Sequence, residues 1–121
     1  MMTRIGRLTL AFSVTATGLA FAQAGGADVS KMERGQAVYQ YWCGPCHSEG
    51  RGNPGTGALA VKYKNQPGVP AVLADRTNLT PESVKFFVRR GVSVMPPFRK
   101  TEITDAELDA LAVFLTRNRQ R

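Results

Sequence analysis

The 121-residue chain is poor in the residues that build most metal, disulfide and catalytic centres: it holds one histidine, two cysteines and one tryptophan. Two cysteines exclude a disulfide-stapled framework, and with a single histidine they cannot complete a four-ligand zinc site unless carboxylates join them. Long hydrophobic runs are also missing. The best stretch, Leu8 to Ala22, spans 15 residues diluted by Ser13, Thr15, Thr17 and Gly18, short of the ~20 apolar residues of a membrane span. Acidic residues are scarce, 9 against 16 basic ones, yet the basic residues are dispersed and lack aromatic interleaving, which excludes a nucleic-acid interface. No internal repeat and no convincing strand can be read.

What is present begins with export. Arg4 and Arg7 precede the Leu8–Ala22 stretch, and Ala20-Phe21-Ala22 and Ala22-Gln23-Ala24 fit a small-residue cleavage site. This is the pattern of a signal peptide over residues 1–22, cut after Ala22 or Ala24, and it predicts a periplasmic protein without a membrane span in its mature form. Removing Arg4 and Arg7 leaves 14 basic and 9 acidic residues, a net charge of +5, which would steer the protein toward an acidic partner. The remaining 99 residues make one small domain with a limited apolar core, which a cofactor carrying its own apolar surface would enlarge.

Three helices are predicted. Ser30-Lys31-Met32-Glu33 has the form of a capping box, and Gly35, Val38, Tyr39 and Trp42 share a helical face, so the first helix runs directly into Cys43. The second starts at Thr80-Pro81-Glu82, carries Val84, Phe87 and Val88, and stops at Gly91. The third is capped by Thr104 and Glu107 and buries Leu108, Leu111, Phe114 and Leu115. Gly35 would let this last helix approach the first, with Tyr39 against Leu111 and Phe114. Residues 48–79 are glycine- and proline-punctuated, with a helical turn or two around Ala58 to Lys64. A loop of this length suits a compact domain only if it wraps something other than protein.

The chemistry lies in YWCGPCH, residues 41–47. Trp-Cys-Gly-Pro-Cys is the dithiol word of thioredoxin-like oxidoreductases, whereas Cys43-x-x-Cys46-His47 is the attachment signature of c-type haem. A reactive dithiol needs a sheet and a first cysteine at a helix start. Here the cysteines follow a helix, and Val69-Pro70-Ala71-Val72-Leu73 stands isolated as a strand candidate. Haem needs only two thioether anchors and the adjacent imidazole, so one covalent haem c on Cys43 and Cys46, with His47 on the iron, is the better reading. One histidine excludes a second imidazole from the same chain. Of the thioethers in the mature part, Met32 lies in the first helix and is assigned to packing, while Met95 precedes Pro96 and Pro97 on a stiff extended segment and is the expected second axial ligand. Pro54 is expected to accept from His47 Nδ1 through its carbonyl, and Leu59, Tyr63, Val94 and Phe98 to pack on the haem faces.

These motifs resemble a small class I cytochrome c. The resemblance implies an all-α domain, residues 28–121, of three main helices plus short helical turns around one covalent haem. The stretches GNPGTGAL and RTNLTPESVKFFVRRGVSVMPPFRKTEITDAELDAL are similar to the cytochrome subunits of flavocytochromes that oxidise 4-alkylphenols. That similarity implies an electron-transfer subunit, not itself an enzyme, taking single electrons from an FAD-containing flavoprotein dehydrogenase and passing them to another cytochrome or a copper protein. Arg99 and Lys100 would then be either a solvated turn or a contact with the flavoprotein. The alternatives are a free cytochrome c shuttle to a terminal oxidase and, further off, a thiol oxidoreductase.

Overall fold

The computed structural model describes residues 24–120, so the expected signal peptide lies outside the described residues. Five helices follow in order: α1 (Ala24–Val38), α2 (Gly44–His47), α3 (Pro54–Lys62), α4 (Pro81–Arg90) and α5 (Asp105–Thr116). A π-helical turn, Tyr39–Cys43, joins α1 to α2, and 3-10 turns cover Leu73–Asp75 and Arg117–Gln120. Among the described residues there is no strand, and a lone bridge pairs Val92 with Met95. No described helix is long and apolar enough to cross a membrane.

The core is built where α5 lies across α1 and α4. Ile103 and Leu111 are fully buried, and Val38, Tyr39, Cys43, Val84, Val88, Leu108, Ala112, Phe114 and Leu115 complete the cluster. Met32 packs on its margin as a helix residue. The α1–α5 crossing depends on Gly35, because a Cβ there would collide with the Ala110 carbonyl and lie 2.8 Å from the Phe114 Cβ. The same approach brings the Tyr39 and Phe114 rings to a centroid distance of 5.4 Å.

Local signals set the later helix boundaries. Thr80 accepts from the Ser83 amide and the Ser83 hydroxyl accepts from Thr80, a reciprocal box in which the partner is Ser83. Gly91 ends α4 at φ 68°, a left-handed conformation that favours glycine. Thr104 and Glu107 form the expected box of α5. The first helix departs from expectation: it already runs from Ala24, so Ser30 and Glu33 lie inside it and cap nothing. An interior residue has its amide bonded four residues back, which leaves a serine oxygen no free donor to satisfy. In the 48–79 segment, α3 is longer than a turn or two and starts earlier, with Pro54 at its first position.

Candidate haem-attachment site

Pro45 explains how the chain delivers its cysteines. It has no amide proton to donate to the Tyr41 carbonyl four residues back, and its ring would crowd that carbonyl. The chain widens there, and the Gly44 amide reaches back five residues to the Tyr39 carbonyl. Cys43 is thereby turned inward and buried, while Cys46 is exposed; both thiols are free. Burial pushes the Cys43 thiol up to about 12, with the neighbouring Cys46 adding to the effect. A nucleophilic dithiol cysteine needs the opposite shift. With no strand in the described chain and a first cysteine so reluctant to ionise, the thioredoxin-like reading is set aside.

His47 ends α2 and is held from three directions. The Tyr39 hydroxyl donates to its backbone carbonyl at 2.9 Å. The following residues are tied down by Asn53 Nδ2, donating to the carbonyls of Ser48 at 3.1 Å and Glu49 at 3.0 Å, and by the Thr56 hydroxyl, donating to Ser48 at 2.8 Å. Gly55 closes on the ring itself: a Cβ there would stand 2.6 Å from Cε1 and 2.7 Å from Nδ1. Burial lowers the His47 pKa, which keeps the imidazole neutral, the form that binds metal. The expected bond to the Pro54 carbonyl is not made. Nδ1 is buried without a hydrogen-bond partner, because Pro54 opens α3 and it is Gly55 that faces the ring.

The Met95 segment is braced at both ends. Val92 and Met95 exchange reciprocal backbone bonds of 3.1 and 2.9 Å around Ser93, whose φ is 54°. Gly91 sits under this turn, where a Cβ would be 2.5 Å from the Met95 carbonyl oxygen and 2.9 Å from the Pro97 nitrogen. At the far end the Phe98 amide donates to Val88 at 2.8 Å, and Arg89 Nη1 donates to the Phe98 carbonyl at 3.0 Å while Nη2 donates to Asp105 at 2.9 Å. Met95 is half-buried against the core margin.

The remaining expected residues fall into different surroundings. Phe98 packs on the core and stacks edge-on against Trp42 at 5.7 Å. Leu59 is half-buried outside the core cluster, and Val94 at the turn tip is 85% exposed. Tyr63 lies under the guanidinium of Arg76, 4.3 Å from its ring centroid. Arg99 and Lys100 form ion pairs with Glu102 and Asp105. Arg76 itself was not foreseen. It is only 4% exposed, its Nε donates to Asn78 at 3.0 Å, and among the described residues no carboxylate lies within ion-pair distance. Nothing in the local sequence marks an arginine as buried.

These observations fit a haem. The buried Arg76 guanidinium has Asn78 and the Tyr63 ring as neighbours but, among the described residues, no carboxylate to balance its charge, and a haem propionate is an anion that would balance it. The paired free thiols and the neutral imidazole match the attachment chemistry, and Val92 and Val94 in the Met95 turn leave apolar surface uncovered. A small all-α domain whose paired cysteines and following histidine are presented this way is a class I c-type cytochrome. Residues 30–115 match the protein family described as "Cytochrome C oxidase, cbb3-type, subunit III", and the chain belongs to that family. It carries covalently bound haem c and is a haem-based electron-transfer protein. Neither a curated protein nor a solved structure gives a significant match.

Proposed function

We propose that this chain is a periplasmic one-electron carrier whose haem iron is held between His47 and Met95, and that it takes electrons from a flavoprotein dehydrogenase acting on 4-alkylphenols. The bracing of Met95 carries the ligand assignment: Gly91, the Val92–Met95 turn and the Arg89 clamp on Phe98 fix the backbone of the mature part's one non-helical methionine. A fixed thioether needs little ordering when it binds.

Haem c held this way supplies one-electron exchange at iron, with the thioether raising the reduction potential relative to a second imidazole. The chain's residues position and shield it. Tyr39 and Gly55 set the imidazole, Cys43 and Cys46 anchor the macrocycle, and Arg76 offers charge to a propionate. Arg4, Arg7 and the Leu8–Ala22 run support export. Similarity of the GNPGTGAL and RTNLTPESVKFF stretches to alkylphenol flavocytochrome subunits supports the flavoprotein partner. A second reading, a free carrier delivering to a terminal oxidase, draws support from the oxidase subunit named in the family description.

In purified holoprotein, Met95→Ala is expected to abolish the weak long-wavelength sulfur-to-iron absorption and lower the potential, whereas Met32→Ala leaves both in place. The reverse result would sink the ligand assignment. Purification from the native host is expected to bring down a flavin-containing protein; migration alone would favour the free carrier.

A further inference from the structure

The 3-10 turn that follows α5, Arg117–Gln120, is fastened to the helix before it. The Phe114 carbonyl accepts from both the Arg117 amide and Arg117 Nη1, the latter at 2.6 Å, and the guanidinium lies over the Phe114 ring, 4.0 Å from its centroid. Bonding three residues back tightens the chain, and Asn118 meets the Leu73–Asp75 turn. Its Nδ2 donates to the Ala74 carbonyl at 2.9 Å, across 44 positions of sequence. That carbonyl is the one the short turn leaves over: the Val72 and Leu73 carbonyls already accept from the amides of Asp75 and Arg76. Ala74 is half-buried, and a carbonyl taken from water needs a donor.

The bond holds more than the turn. Arg76 comes next in the chain, donates to Asn78 and covers the ring of Tyr63, the residue that caps the end of α3. At the start of α3, Gly55 packs on the His47 ring. The His47 carbonyl accepts from Tyr39, whose ring meets Phe114 back on α5. These contacts close a circuit that leaves α5 at Asn118 and returns to it at Phe114, with the attachment histidine on its path. The Tyr39 hydroxyl also feels this turn: burial is the main reason its pKa is raised, and the Ala74 backbone and Asp75 both act on it. Packing of Leu73 and Ala74 on the core margin sets the turn down on α5. Apolar contact has no direction, so the Asn118 hydrogen bond fixes the turn's orientation.

We propose that Asn118 latches the 48–79 segment: it fixes the Leu73–Asp75 turn against the end of α5 and thereby positions Arg76 and the end of α3 for the cofactor. The inference holds whichever partner supplies the electron. The test uses purified holoprotein. Asn118→Leu keeps the bulk and removes the donor, and is expected to speed amide exchange at Tyr63, Asp75 and Arg76 about tenfold, the weight of one hydrogen bond. It is also expected to lower the reduction potential, because water admitted to the haem and a cation moved away from it both favour ferric iron. Asn118→Gln retains the donor and is expected to recover most of both properties. Arg119→Ala shortens an exposed side chain of the same turn and is expected to change neither. Unchanged exchange at these amides in Asn118→Leu, or an unchanged potential, overturns the proposal. So does acceleration spread equally through α4 and α5, which would make Asn118 a general stabiliser of the packed helices. Each of those results leaves the carrier reading standing; failure of the unmodified holoprotein to accept an electron from dithionite overturns both.

Discussion

The α1–α4–α5 half and the α3 half of the molecule are stabilised by different means. In the first, fully buried Ile103 and Leu111 sit under two capped helices whose outer charges are paired. In the second, neither α3 nor the Leu73–Asp75 turn buries a single residue, and the one buried side chain between residues 48 and 79, Arg76, is a cation. One half folds on protein packing. The other has hydrogen-bonded loops arranged around His47 and meets the core only through the half-buried Leu73, Ala74 and Leu79, so its order is expected to depend more on the cofactor.

Removing the anchors should separate the halves most sharply. Cys43→Ala with Cys46→Ala is expected to yield no covalent haem by pyridine haemochrome assay, and to lose amide protection across residues 48–79 far more than across α5 in hydrogen exchange. Uniform loss would mean that the halves are not energetically distinct. Next in size, Leu111→Ala opens a void at a fully buried position and should cost about 2–5 kcal/mol in denaturant unfolding of the holoprotein. Its reduction potential should stay near that of the parent, because the void lies in the packed half.

Gly91→Ala acts on the boundary between the halves. The added methyl meets the Met95 carbonyl at 2.5 Å and forces a left-handed φ on alanine, so a loss of about 1–3 kcal/mol is expected. Unlike Leu111→Ala it should also weaken the sulfur-to-iron absorption. The smallest effect is that of pH on the packed half. Hydrogen bonds from Lys100 and Arg89 hold the Asp105 carboxyl below its ordinary value of 3.8, and Lys85 does the same for Asp109. A carboxyl depressed in the folded state contributes stability that is complete above its unfolded value and is lost as pH falls through the folded one. Unfolding midpoints should therefore be flat from neutral pH to about 5 and decline below about 4; Asp105→Asn should flatten that decline, and both carboxylates being fully exposed, the change should be small.

The legible parts of the sequence were those decided within a few residues. Thr80 and Thr104 each bond an amide three positions on, Gly91 takes a conformation that side chains resist, and Pro96 and Pro97 stiffen the Met95 segment in any context. Ser30 misled because the same local pattern serves a cap only where a helix begins, and upstream residues had already begun it. Pro54 misled because neighbouring positions along a chain do not say which of two backbones will face a ring.

The sequence by itself determined the attachment chemistry: two cysteines two residues apart with a histidine next in line. Only tertiary structure decided which cysteine is buried, that Tyr39 would hold the His47 carbonyl, that Gly55 would close on the imidazole, and that Arg76 would be enclosed without a carboxylate. The division has a physical cause. Covalent spacing and helix capping are set by bonds along the chain, whereas burial and charge pairing depend on which distant segments the packed helices bring together, and on the cofactor they enclose.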